Sequence, residues 1–227
     1  MANIVEYDKS FEKKKIGSGC NGVCYLTSDN QVFKRIDYPE IFEQNLRSLV
    51  GKRNPTYVFP KQLVSLNSII IGYIMDYVEG VRLDYLGNEI SIQDYLNALR
   101  IAEYDIAAIS SMHIFSIDVS DDNILFSKDK RFKIIDTDYY RKLKTSSNIY
   151  NSNLRNFSHA SLSLLLNLYK DRFKNNNLEY LRESLINGTI RPSQFISTLL
   201  NYIQISDISN SSVAELKDEL KLLYKNR

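Results

Sequence analysis

Cysteine and histidine are scarce in this chain of 227 residues, which has 2 of each. Cys20 and Cys24 lie in a glycine-rich stretch that reads as a strand hairpin, too close together for a disulfide scaffold or a zinc site. His113 and His159 have no Cys, His or acid at ligand spacing, so structural roles are expected of both. Excess charge of one sign is also missing. Lys and Arg number 29 against 27 Asp and Glu, a net charge of +2 that gives no reason to expect a nucleic-acid partner. Lys13-Lys14-Lys15 then reads as a solvated strand entry. The longest apolar runs, at 69–75 and 162–168, are too short to span a bilayer, so no membrane is expected. Glu6 and Asp8 stand where a secretory signal would carry a positive stretch and then an apolar run. The expected compartment is a reducing cytoplasm.

What is present is ordinary globular composition, 44% hydrophobic and 25% charged, in a length that suits one generous domain or two small lobes. The first third is strand-rich and the remainder helix-rich, which predicts an α+β fold. Strands are expected at 23–27, 31–36, 63–66 and 69–75, with turns at Ser28-Asp29-Asn30 and Asn67-Ser68. Pro39 opens a helix expected to run to Val50. Apolar residues at helical spacing predict a helix over 92–112, and a short hairpin follows at 124–126 and 132–135. Further helices are expected near 158–170, 178–187, 192–203 and 212–225, the last with Ser212 and Glu215 as a capping box. The Asn- and Ser-rich stretch 145–153 is expected to be the most mobile loop. There is no internal repeat.

Four motifs carry chemistry. Gly17-Ser18-Gly19-Cys20-Asn21-Gly22-Val23 is a G-x-G-x-x-G pattern whose valine follows the third glycine directly. Glycines let backbone N–H groups approach phosphate oxygens with no Cβ in the way. A dinucleotide site would need them to open a helix. Here Val23-Cys24-Tyr25-Leu26 is strand-like, so a strand–turn–strand is expected. The next strand carries Val32-Phe33-Lys34, whose lysine is either a surface residue with a snorkelling stem or, from its place after the glycine turn, a functional cation. In the helix at 39–50, Glu43 falls on one face with Leu46 and Val50. It is expected either to need a buried cationic partner, Lys34 being the candidate, or to mark the edge of a solvated face.

The fourth motif is the sharpest. Ile117-Asp118-Val119-Ser120-Asp121-Asp122-Asn123-Ile124-Leu125 leads into a strand, and Ile134-Ile135-Asp136 ends the next one. A hairpin with Lys128-Asp129-Lys130 at its tip would return Asp136 to the end where Asn123 sits. That would join a carboxylate and an amide oxygen as hard ligands for Mg²⁺. Asp118 would face the same cleft and accept a proton from an attacking hydroxyl. The plainer alternative is a solvated acidic turn.

Taken in order, these residues resemble protein kinases and their atypical relatives, well over roughly residues 14–140 and only as a generic helical part beyond. The resemblance implies a single domain over 1–227 with the two-lobed protein-kinase-like fold. Residues 1–78 would form a small antiparallel-sheet lobe with one helix, and residues 79–227 a mainly helical lobe. It implies ATP with Mg²⁺, or Mn²⁺ in its place, and assigns roles accordingly. Gly17, Ser18, Gly19, Cys20, Asn21 and Gly22 would cover the phosphates, and Lys34, paired with Glu43, would bind them. Tyr73-Ile74-Met75-Asp76-Tyr77-Val78-Glu79-Gly80 is similar to the segment that joins the two lobes, which makes Met75 the gatekeeper and puts Asp76 and Val78 on the adenine edge. Val23, Val32 and Leu125 would complete the nucleotide pocket. Asp118 would be the catalytic base, and Asn123 and Asp136 the metal ligands.

The pattern also departs from the family. Ser116-Ile117-Asp118 stands in place of H-R-D, so control by phosphorylation of an activation loop is not expected. Asp136-Thr137-Asp138 stands in place of D-F-G, and Asp138 is either a second metal ligand or a solvated loop acid. Ser120 takes the place of a lysine, removing a positive charge from the transferring phosphoryl group. In this the chain is similar to RIO-type atypical kinases, and small-molecule kinases of the aminoglycoside and choline type also omit that lysine. No A-P-E follows, and 139–156 is a brief polar connector where protein kinases build a peptide platform. The function implied first is that of a minimal Ser/Thr protein kinase moving the γ-phosphoryl of ATP to a hydroxyl. A small-molecule kinase on the same fold and a pseudokinase serving as a nucleotide-binding or scaffold module stay open.

Overall fold

The computed structural model describes residues 3–86, 90–145 and 148–224. Strands β1 Ile4–Glu6, β2 Lys14–Gly19, β3 Gly22–Leu26, β4 Gln31–Ile36, β5 Gln62–Leu66 and β6 Ile69–Asp76 form one sheet in the order β1-β5-β6-β4-β3-β2. Neighbours from β2 to β6 pair antiparallel, but β1 runs parallel to β5 with Ile4 opposite Leu63. The sheet is therefore mixed, not wholly antiparallel as expected. A three-residue edge strand leaves no periodic signal, and β1 is fixed by a non-local contact instead. The Glu6 carboxylate accepts hydrogen bonds from Ser65 Oγ at 2.8 Å and the Asn67 amide at 3.0 Å. Asn67 and Ser68, the predicted turn, both adopt positive φ (52° and 68°), the geometry that matches the twist of a two-residue hairpin.

Strand alternation covers this sheet on both faces. Val32, Ile36, Leu63, Ile70, Tyr73 and Met75 form one apolar cluster with Phe42 and Leu46 of helix α1, Pro39–Leu49. Phe33, Val64 and Ile74 point the other way, against Val5, Tyr7, Phe11 and Tyr25. Side chains two apart on a strand share a face, so Lys34, between Val32 and Ile36, projects to the α1 side. The buried positions of α1 are Phe42, Leu46 and Leu49, an i, i+4, i+7 seam. Burying each such side chain contributes about 1.5–3 kcal/mol.

Beyond Asp76 the chain pairs differently. Strand β7 Gly80–Arg82 lies beside β9 Ile124–Ser127, which pairs with β10 Phe132–Ile134, while β8 Ile114–Phe115 pairs with β11 Arg141–Lys142. Helix α2 Ile92–Ser111 runs through the largest apolar cluster, its Tyr95, Leu99, Ile106 and Ile109 fully buried. Around it lie α3 Ile149–Leu162, α4 Asn176–Ile186, α5 Pro192–Ile203 and α6 Val213–Leu223. The buried Glu103 of α2 accepts hydrogen bonds from Ser193 N and Oγ at 2.6 and 2.7 Å, placing its carboxylate at the positive start of α5. Ser212 and Glu215 form the expected reciprocal cap on α6. That helix ends at Leu223, and residue 225, to which it was expected to run, lies outside the described residues.

The helix expected at 158–170 is displaced. Helix α3 spans Ile149–Leu162, so residues 149–153 of the expected loop are its first turns, while 146–147 lie outside the described residues. Asn and Ser signal turns because their side chains compete for the backbone. Here Asn153, Ser158 and Ser161 are buried within the protein instead. Among the described residues the fold is α+β, with a mixed sheet and six α-helices, and no helix is long and apolar enough to cross a membrane.

Candidate functional site

Lys34 is the centre of the site. It lies directly between Cys24 of β3 and Tyr73 of β6 and is 4% exposed. Its Nζ donates to Asp136 Oδ1 and to Asp138 Oδ2, each at 2.5 Å. Tyr73 Oη donates to the other Asp138 oxygen at 2.7 Å. The Asp138 side chain is 0% exposed and that of Asp136 32%. Burial pulls the Lys34 ammonium down, but Asp138 and Asp136 outweigh it and hold the group above the ordinary lysine value. Burial likewise pushes Asp138 up, to about 6, against the pull of Lys34. Lys34 therefore keeps its proton at neutral pH.

Glu43 does not take part. It pairs with Arg47 at 2.7 Å, one helical turn on, with 39% of its side chain exposed. The expected Lys34–Glu43 pair is thus corrected: the inner seam of α1 runs through Phe42, and Glu43 sits one position round the helix from it. Phe42 instead packs edge-on against Tyr139, ring centres 5.1 Å apart. Asp138, expected to be either a metal ligand or a solvated acid, is neither solvated nor free.

The β9–β10 hairpin performs the expected return. Ile134 pairs with Ile124, and the Ile135 amide donates to the Asn123 carbonyl at 2.9 Å, which sets Asn123 beside Asp136. The tip is closed by Ser127, whose amide donates to the Arg131 carbonyl at 2.9 Å. Asp118 and Asp136 both adopt left-handed backbone, φ 62° and 61°, a region that Asp enters more readily than most residues other than glycine. Partial burial, with the charges of Asp136 and Asp122, holds the Asp118 carboxyl above the ordinary aspartate value.

Asn153, buried in α3, anchors the loop that leads to Asp118. Its Oδ1 accepts from Ser116 N at 2.8 Å and Ser116 Oγ at 2.9 Å, and its Nδ2 donates to the Ile114 carbonyl at 2.8 Å. Asn156 donates to the Ser116 carbonyl at 2.7 Å. Sequence reasoning missed Asn153 and Asn156, because their composition pointed to a loop.

The glycine turn is a two-residue hairpin in which Gly19 pairs with Gly22 across Cys20 and Asn21. Tyr139 Oη donates to Asn21 Oδ1 at 3.2 Å, tying the turn to the chain just beyond Asp138. A Cβ on Gly17 or Gly19 would meet nothing within 4 Å, whereas one on Gly22 would lie 1.9 Å from the Arg35 carbonyl. Gly22 is thus needed for strand packing, while Gly17 and Gly19 border open space; Ser18 and Cys20 are exposed beside them.

Register corrects another assignment. Val23 pairs with Arg35 and Cys24 with Lys34, so Cys24 shares the Lys34 face and Val23 lies on the opposite one. Burial pushes the Cys24 thiol up to about 11, so it stays neutral. Val32 does lie on the Lys34 face, paired with the buried Met75. Leu125 is half-buried on β9, opposite Arg82 and Lys133. Asp76 is exposed and paired with Lys61 at 2.7 Å, and Val78 is half-buried. Asp76 and Val78 also border a groove of about 1280 Å³, lined further by Lys52, Arg53, Phe59 and Lys133 and by neither Lys34 nor Asp136.

Among the described residues no group of three or more His, Cys, Asp or Glu side chains gathers as a metal site. Mg²⁺ commonly takes only one or two protein ligands and completes its shell with water and phosphate. The donor set of Asp136 and Asn123 fits that habit: the Asn123 amide nitrogen turns to the Asp118 carbonyl at 3.4 Å, which leaves its amide oxygen as a hard donor. Neither a protein-family model nor any curated protein matches the chain.

Proposed function

We propose that the chain binds ATP between the six-stranded sheet and the β9–β10 hairpin and transfers its γ-phosphoryl group to a hydroxyl. The observation that carries this reading is the meeting of Lys34 with Asp136, 102 positions apart, beside Asn123 and close to Asp118. In a two-lobed, protein-kinase-like arrangement the first lobe would end near residue 78. That division is supported by the end of β6 at Asp76 and by the pairing of β7 with β9 instead of the first sheet.

Residue roles follow from chemistry. The Lys34 ammonium would bind phosphate oxygens, and backbone N–H groups of the glycine turn would face them from above. Val32 and Cys24 would cover one face of the base, and the backbone at Asp76 and Val78 would meet its edge. Asp136 and Asn123 would hold Mg²⁺, which when bound neutralises charge on the phosphates. Asp118 would accept the acceptor's hydroxyl proton as that oxygen bonds to the γ-phosphorus. The bond from phosphorus to the β–γ bridging oxygen breaks, and ADP leaves with its electron pair.

The acceptor is a Ser or Thr hydroxyl of a protein in the first reading. A small-molecule alcohol is the second, supported by the short path from β11 to the start of α3, which leaves little chain for a peptide platform. Thermal melts with ATP and MgCl₂, then radiolabelled ATP, test both. A site at 100 times its Kd adds about 2.7 kcal/mol to stability, an evident rise in Tm. Asp118→Asn is expected to keep that rise and lower turnover by about 10²–10⁴-fold. Label on protein or on a small metabolite separates the two acceptors. A rise without turnover on any acceptor would make the chain a nucleotide-binding module, and no rise at all would sink the reading.

A further inference from the structure

Two carboxylates hold Lys34, and they are not equivalent. Asp136 is one-third exposed, sits in left-handed backbone and stands beside Asn123 at the open end of the hairpin. Asp138 is fully buried and bonds two groups at once, the Lys34 ammonium and the Tyr73 hydroxyl. Lys34 and Tyr73 are paired residues on adjacent strands, so the two groups that grip Asp138 are set at one level of the same sheet. The Tyr140 amide donates to the Thr137 carbonyl at 3.1 Å and fixes the turn that carries Asp138.

We propose that Asp138, held by Tyr73, is the residue that positions Lys34 for an anionic ligand, and that Asp136 is the exchangeable partner. This rests on the nucleotide reading above. Two carboxylates around one ammonium leave a net negative charge, which opposes entry of a polyphosphate unless one carboxylate finds another cation. Leaving Asp138 without Lys34 would strand a buried carboxylate, whereas Asp136 is open to solvent and to a divalent ion. Lys34 would therefore turn from Asp136 toward phosphate oxygens while keeping Asp138. It follows that orientation of Lys34 does not depend on a carboxylate from α1, whose Glu43 is engaged with Arg47.

A double-mutant cycle tests this, with affinity for ATP plus MgCl₂ and melting without nucleotide as its readouts. Asp138→Asn is expected to weaken ATP affinity about tenfold or more, the loss of one charge-assisted hydrogen bond. Added to Lys34→Met, the same substitution should weaken it no further, because Asp138 acts through Lys34. In melts without nucleotide the double variant should lose less than the sum of the singles. Tyr73→Phe keeps both charges and the core shape, so it decides the matter even if Asp138→Asn fails to fold; a fewfold loss of ATP affinity is expected. Additive losses in the cycle would mean a merely structural Asp138 and overturn the positioning role. So would undiminished affinity in Tyr73→Phe or in a folded Asp138→Asn. A wild-type protein with no response to ATP would instead defeat the nucleotide reading, while the melts without nucleotide would still report the Lys34–Asp138 coupling.

Discussion

Helix α1 and the segment at 136–140 flank the same lysine and treat it in opposite ways. The segment turns two carboxylates inward, one of them fully buried, and the helix turns its acid outward to Arg47. Between helix and segment the contact is apolar, Phe42 on Tyr139. The difference shows that an acid at helical spacing is not enough to claim a buried cation. Successive helix positions are rotated by about 100°, so a seam through Phe42, Leu46 and Leu49 leaves Glu43 off it. Short hydrogen-bonded loop geometry, by contrast, can bring two acids of a D-x-D sequence to one ammonium.

The largest effect expected from this contrast is that of Lys34→Ala. It leaves Asp138 buried with, among the described residues, only Tyr73 as its hydrogen-bond donor and should cost about 3–5 kcal/mol in urea unfolding. The sign of the pH dependence follows from Asp138, whose carboxyl is already raised to about 6 with Lys34 in place. Without the lysine it rises further, while in the unfolded chain it stays near 3.9, roughly the free value. Below about 6 the carboxyl is protonated in the folded state of wild type and variant alike, so the deficit of the variant should be small there and grow as pH increases through 6 and beyond. The groups facing it are Asp136, Tyr73 and Cys24. A loss under about 1 kcal/mol at pH 8 would mean that Asp138 is solvated, and the contrast with Glu43 would vanish.

Next in size are substitutions that separate support from contact. Asn153→Ala removes the acceptor of Ser116 N and Oγ and should cost about 1–3 kcal/mol, with slower turnover because the Asp118 loop loses its anchor. Gly22→Ala drives a methyl into the Arg35 carbonyl at φ 147° and should cost about 1–3 kcal/mol. Gly19→Ala meets open space, so its melt should match the wild type within about 0.5 kcal/mol while its ATP-induced shift shrinks. Equal destabilisation by the two glycine substitutions would show that the turn is structural throughout.

Much of the site is legible in the sequence because it depends on short-range pairing. Apolar alternation puts Lys34 on a strand, and the Lys128-Asp129-Lys130 turn returns Asp136 to Asn123. What is not legible depends on parity or on distant contacts. Gly22 opens β3, so Cys24 and not Val23 shares the Lys34 face, a one-residue difference that only the register decides. Tyr73 becomes a partner of Asp138 only through the β4–β6 pairing. The start of α3 is hidden because Asn153 and Ser158 spend their polar groups on buried partners rather than on turns. β1 depends on a parallel neighbour some sixty positions away.

The smallest expected effect is the sharpest check on the contrast itself. Glu43→Gln keeps the size and helix propensity of the side chain and removes only its charge. The pair it breaks joins side chains 39% and 43% exposed, at i and i+4 on one helix. Such solvated pairs contribute about 0.3–0.5 kcal/mol, and salt screens them further. Urea unfolding of this variant should therefore fall within about 0.5 kcal/mol of the wild type and converge on it in high salt. A loss above about 1.5 kcal/mol that persists in high salt would place a desolvated partner on Glu43, and Lys34 is the buried cation on the sheet face that α1 covers. The outward helix acid and the inward loop acids would then be sharing one lysine, and the division of labour between α1 and the segment at 136–140 would not hold.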